Sequence, residues 1–169
     1  VLPLPVGQSS GCELLDFEVT QESDGAGVAE KLNGGMPQGL HVLDCYPAQR
    51  PVRELAWLRA AVELEYDAGV PEGAADALRE LLARSELIIQ KRTKRKELAD
   101  VDIAPMIGKV ELSEEPHLIR GTVTVRAQNP GLNPQLLEKA IAKYRPDLQP
   151  DFMRVRRLAF LDEAGNNFR

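Results

Sequence analysis

Long apolar runs, paired cysteines and aromatic side chains are all scarce in this 169-residue chain. No stretch comes near the ~20 apolar residues that a membrane helix needs, and the opening VLPLPV is too short for a signal-peptide core. No membrane partner is expected. Cys12 and Cys45 are the only cysteines, too few for a disulfide scaffold, so a reducing cytoplasm is the expected location. With His41 and His117 they form no paired Cys-x2-Cys spacing, so neither a metal nor a cofactor is expected. Aromatics make up 5% of the chain, with one tryptophan, which leaves few platforms for stacking bases. No Walker or Rossmann glycine loop is present, and Gly7–Gly11 reads as a turn.

The residues that are present describe a folded protein. Hydrophobic residues make up 43% and charged residues 28%, enough for one ordinary domain or two small ones sharing a core. The formal charge of −5 argues against a protein that coats nucleic acid, although a local basic patch still binds phosphate.

Periodicity gives the elements. Residues 12–19 alternate, with Leu15, Phe17 and Val19 on one side and Leu14, Asp16 and Glu18 on the other, which predicts a strand. A helix is expected over 26–33, ended by Gly34-Gly35, and a second strand over Leu40–Tyr46. Residues 58–66 alternate most clearly: Leu58, Ala60, Val62, Leu64 and Tyr66 against Arg59, Glu63 and Glu65. A helix over 72–83 and a strand over Ser85–Arg92 follow. This order predicts an α+β fold with a ferredoxin-like βαββαβ unit over residues 1–92. Residues 93–169 then read as a ββαβ unit packed on it, or as part of one continuous domain. It comprises a hairpin of Lys109–Ser113 and Leu118–Arg126, a helix over 134–144 and a strand over Phe152–Leu161. The phase of that last strand slips at Arg156-Arg157, and a bulge there would keep Met153, Val155, Leu158 and Phe160 all inside.

Catalytic chemistry finds little support. His41 and Cys45 lie on one face of a strand but about 13 Å apart, too far to act as a pair. Glu63 and Glu65 read as a solvated face, and Trp57 reads as core or lid packing. The one functional lead is the cationic run Lys91, Arg92, Lys94, Arg95 and Lys96, which Arg120, Arg126, Arg154, Arg156 and Arg157 extend if their strands are neighbours. Such a cluster attracts phosphates with marked salt dependence. The competing reading is a solvated loop whose charges guard a sheet edge.

Four stretches in order resemble one bacterial family. They are Leu4, Pro5, Gly7, Ser9, Glu13, Leu15 and Asp16; then Leu32, Asn33, Pro37, Gly39 and Leu40; then the basic run with Asp102, Ile103, Pro105 and Ile107; and last the terminal helix at Asn133-Pro134. The chain resembles the C-terminal half of the radical SAM-linked conserved hypothetical proteins, found fused to or encoded beside a cobalamin-binding-type radical SAM protein. The family's upstream segment is missing here, and Ala104 and Asn133 stand where the family often has arginine. The resemblance implies a non-catalytic accessory domain that positions a macromolecular substrate, with RNA the candidate, for a radical SAM module as partner. Two cysteines cannot themselves hold the three-cysteine cluster of that chemistry. A structural or protein-docking domain is the alternative, and an enzyme with its site in the missing half comes third.

Overall fold

The computed structural model describes residues 3–20, 24–92 and 97–168, with the backbone alone of Arg92. In chain order the elements are β1 (Ser9–Ser10), α1 (Gly25–Gly35), β2 (Trp57–Glu65), α2 (Ala74–Leu82), β3 (Ile88–Arg92), β4 (Leu98–Asp102), β5 (Ile107–Glu115), β6 (Leu118–Arg126), α3 (Leu137–Tyr144) and β7 (Phe152–Leu161). They fall into two compact units. One is the stretch up to Glu13 with Arg53–Phe168, and the other is Leu14–Val52.

The larger unit is built on a five-stranded sheet ordered β1-β7-β2-β6-β5, with β3 and β4 as a separate hairpin. All its pairings are antiparallel except the short contact of β1 with β7. The α+β expectation is met. Omitting β1 and the hairpin, the chain runs β2-α2-β5-β6-α3-β7, and the sheet order makes these strands fourth, first, third, second. Each helix therefore crosses over one intervening strand, which is the ferredoxin-like split βαβ pair. It runs from Trp57 to Leu161, not over residues 1–92, because both neighbours of β2 come from the second half of the chain. The position 92/93 falls inside the β3–β4 hairpin.

The alternation in β2 sends Leu58, Ala60, Val62 and Leu64 inward, each at most 3% exposed. Ile119, Val123 and Val125 of β6 and Met153 and Val155 of β7 lie on the same side. Leu78, Leu81 and Leu82 of α2 and Leu137 and Ile141 of α3 cover them. Each such side chain contributes about 1.5–3 kcal/mol on burial. Both helices thus occupy one face and leave the other open.

Local chemistry sets the helix ends. Gly73, at φ 72°, holds a left-handed turn before α2, so that helix starts two residues later than its apolar spacing suggests. Asn133 accepts a hydrogen bond from the Gln135 amide at 3.1 Å, and Pro134 opens a 3-10 turn leading into α3.

The bulge in β7 is real but sits one residue later than expected. Ala60 pairs with Arg157 and Arg59 with Ala159, leaving Leu158 as the extra residue. Arg157 therefore continues the inward side of Met153 and Val155 and is fully buried, while Leu158 is 39% exposed and Phe160 returns inside. Charge did not decide the facing: Glu13 supplies the partner that lets an arginine stay inside, donated to at 3.0 Å.

In the smaller unit, α1 forms where expected, with Asp24 accepting from the Gly27 amide. Residues 12–19 and Leu40–Tyr46, expected as strands, have no sheet pairing among the described residues. Alternation selects a face, but a strand also needs an edge to pair with.

Candidate anion-binding face

Every second residue of β2 points away from the helices, which places Trp57, Arg59, Ala61, Glu63 and Glu65 on the open face. Register brings Arg120, Thr122, Thr124 and Arg126 of β6 alongside, and Arg154 and Arg156 of β7 on the other flank. Charges at one end of this face are paired. Arg154 meets Glu65 at 2.9 Å and Arg120 meets Glu115 at 3.0 Å. On the outer strand, towards Arg59, Lys109 meets Glu111 at 2.6 Å. The Lys109 hydrogen bond holds the Glu111 carboxyl below its ordinary range.

The other end is richer in cations. The Arg126 guanidinium lies 4.0 Å from the Trp57 ring centre and donates to both Glu163 oxygens, at 2.7 and 2.8 Å. The Trp57 indole donates to the same carboxylate at 3.1 Å. These contacts, Arg126 first, hold the Glu163 carboxyl below its usual range. Arg59 lies opposite Thr124 and Ala159, and Arg156 lies opposite Ala61. Both arginines are exposed, and among the described residues neither is in an ion pair. Small Ala61 and Thr124 between them keep that part of the face low.

The cations expected to form one patch are divided. Lys91 is exposed on β3, the Arg92 side chain is not described, and Lys94, Arg95 and Lys96 lie outside the described residues. Strand β3 pairs with β4 alone and is held by α3: Lys143 Nζ donates to the Ile88 carbonyl at 2.7 Å, and Lys139 Nζ to that of Gln90 at 3.2 Å. It therefore stands on the helix side, while Arg154 and Arg156 occupy the open face. The strands carrying these groups are not neighbours, and the condition for one continuous patch is not met. Arg157 is inside, bound to Glu13 and to the Pro3 carbonyl at 2.8 Å. Arg59 was legible only as part of a wet strand face. Its grouping with Trp57 and Arg126 needed the register of β2 against β6.

Elsewhere the chemistry is quiet. Among the described residues no three His, Cys, Asp or Glu side chains group as a metal site, and no helix is long and apolar enough to cross a membrane. Burial pushes the Cys12 thiol up, which disfavours the reactive thiolate. The void between helices and sheet, lined by Val62, Leu78, Val123 and Ile141 among others, holds about 10 Å³. That is room for one water at most.

Residues 1–134 match a family described as "Uncharacterized protein conserved in bacteria (DUF2344)". The chain belongs to this family. The DUF2344 match is not confined to the carboxy-terminal part of the chain, and its description makes no reference to radical SAM chemistry. It contains Trp57, Arg59, Arg126 and the basic run, and it ends at Pro134, ahead of α3 and β7. Neither a curated protein nor a solved structure matches the chain.

Proposed function

We propose that this DUF2344 chain is a non-catalytic accessory domain that holds an RNA by its phosphates and presents it to a partner enzyme, a radical SAM module. The observation that carries the reading is the cation-rich end of the open face, where Arg59 and Arg156 stand exposed and, among the described residues, outside any ion pair, beside Trp57 and Arg126. The Glu111 carboxylate lies near enough to Arg59 to interact with its charge. A helix-free antiparallel sheet offers a broad, shallow surface, and unpaired guanidinium groups suit phosphate oxygens. Lys91, exposed on β3 on the helix side, begins the cationic run Lys91–Lys96, a second locus able to meet a different part of a structured RNA. The radical SAM partner is supported by the ordered short motifs alone.

Filter retention of a structured RNA between about 50 and 200 mM salt tests the reading. The Arg59→Gln/Arg156→Gln variant should bind more weakly and lose up to roughly two units of salt slope. Replacing Lys91, Arg92, Lys94, Arg95 and Lys96 with Gln measures the second locus separately. Absence of retention by the parent protein at low salt would replace this reading with a protein-docking domain.

A further inference from the structure

Glu163 sits on the tight turn that follows β7. Its backbone is held by the turn's own bonds: the Asp162 amide donates to the Asn166 carbonyl at 2.9 Å, and the Gly165 amide to the Asp162 carbonyl at 3.0 Å. From this turn the Glu163 carboxylate receives three N–H donations, two from Arg126 and one from the Trp57 indole. Convergent charge-assisted donors of this kind are how a protein holds a phosphate.

The two donors are kept in place by contacts that do not involve Glu163. Trp57 and Arg126 lie opposite each other in the ladder of β2 with β6, and the guanidinium rests 4.0 Å from the ring centre as a cation–π pair. The indole spans β6, and its edge reaches β5 at Gly108, where an added Cβ would come within 3.3 Å of Cζ3. Glycine leaves the ring room there. The carboxylate is the loose member of the group. Its side chain is 67% exposed, against 30% for Arg126. Exposed ion pairs contribute little, so displacing this one lowers the affinity of an incoming anion by about fivefold at most.

We propose that the Arg126 guanidinium and the Trp57 indole N–H form a phosphate subsite, which Glu163 fills as a built-in competitor until a phosphate of the bound RNA displaces it. The surroundings favour a polyanion over a lone carboxylate. Arg59 stands two residues along β2 from Trp57, about 6.6 Å away, and Arg156 lies on the same face. The source of the phosphate rests on the RNA reading above. The subsite itself is tested without RNA.

In the first arm, inorganic phosphate is titrated against chloride at constant ionic strength, and the fluorescence of Trp57, the single tryptophan, is followed. Glu163→Gln should give a saturable change in the millimolar range. The parent should need up to about fivefold more phosphate, and Glu163→Gln/Arg126→Gln should not respond. In the second arm, a structured RNA should bind Glu163→Gln about two- to fivefold more tightly than the parent. The salt slope should steepen by up to about one unit, because Arg126 is no longer neutralised. That gain should vanish in an Arg126→Gln background, whereas mere loss of a repelling charge would survive there. Trp57→Phe keeps a ring under Arg126 and removes the N–H, and it should cancel part of the gain in RNA affinity.

No response of Glu163→Gln to phosphate, or the same RNA gain with and without Arg126, overturns the proposal. RNA retention that ignores Glu163→Gln overturns the subsite and leaves the RNA reading standing. A phosphate response without RNA retention by any variant supports the subsite and overturns the RNA reading, the source then being a free phosphate.

Discussion

Arg157 on β7 donates to Glu13, 144 positions earlier, at 3.0 Å, and the arginine is fully buried while the Glu13 side chain is 36% exposed. This pair, with the Pro3 carbonyl and the parallel contact of β1 with β7, fastens the amino-terminal stretch to the last strand. Removing one member of a buried pair leaves an uncompensated charge and costs about 3–5 kcal/mol. The solvent at Glu13 reduces that for its own replacement. Glu13→Gln should destabilise by roughly 2 kcal/mol, and Arg157→Ala by more, through cavity and contact loss together. Chemical denaturation measures both, and a Glu13→Gln variant as stable as the parent would show that the pair does not hold the stretch down.

The bulge makes two adjacent apolar residues unequal. Phe160→Ala should cost about 3–5 kcal/mol, because Phe160 is 2% exposed and faces Leu58 across the ladder. Leu158→Thr, on the outer side, should change stability by about 0.5 kcal/mol or less. Similar losses from both would place the bulge elsewhere.

Acid should release Trp57. The Glu163 carboxyl titrates below its ordinary 4.5 in the folded protein. A lowered carboxylate contributes stability above its unfolded value and loses it as pH falls through the folded value. The fluorescence of Trp57, the single tryptophan, should therefore change at a midpoint below pH 4.5, and Glu163→Gln should abolish that step. A midpoint at or above 4.5 would contradict the Arg126 contact.

At alkaline pH the sign reverses. Tyr66 is buried, its hydroxyl donates to the Leu148 carbonyl at 2.9 Å, and burial, with Asp151 and Glu114 nearby, pushes its pKa up to about 12. The neutral phenol is favoured in the folded state, so stability is complete below the ordinary value of 10 and is lost as pH rises from there towards about 12. Absorbance of the three tyrosines should show a late step that Tyr66→Phe removes. Completion of the titration by pH 11 in folded protein, about one unit short of that value, would disprove it.

The α+β class was legible because Leu58–Leu64, Ile119–Val125 and Leu78–Leu82 carry strong single-face periodicity, but the split βαβ pair was expected in residues 1–92. The pair's placement was not legible, since alternation says which side of a strand is buried but not which strand lies beside it. Residues 12–19 alternate too, if less clearly than β2, yet β2 has neighbours on both edges and residues 12–19 have no sheet pairing among the described residues. The site suffered from the same limit. The basic run drew notice because its cations adjoin in sequence, whereas Arg59, Arg126 and Arg156 adjoin only through pairing between strands. Arg157 misled because an arginine reads as exposed until its acid, near the other end of the chain, is found.

The order of strands also governs how this protein can be made. Strand β2 lies between β6 and β7, and β1 leans on β7 alone, so the earliest strands wait for the latest. A nascent chain leaves the ribosome amino end first, with the apolar side of β2 made long before its neighbours exist. The sheet cannot close until Phe152–Leu161 has emerged, and until then that side is open to aggregation or to a chaperone.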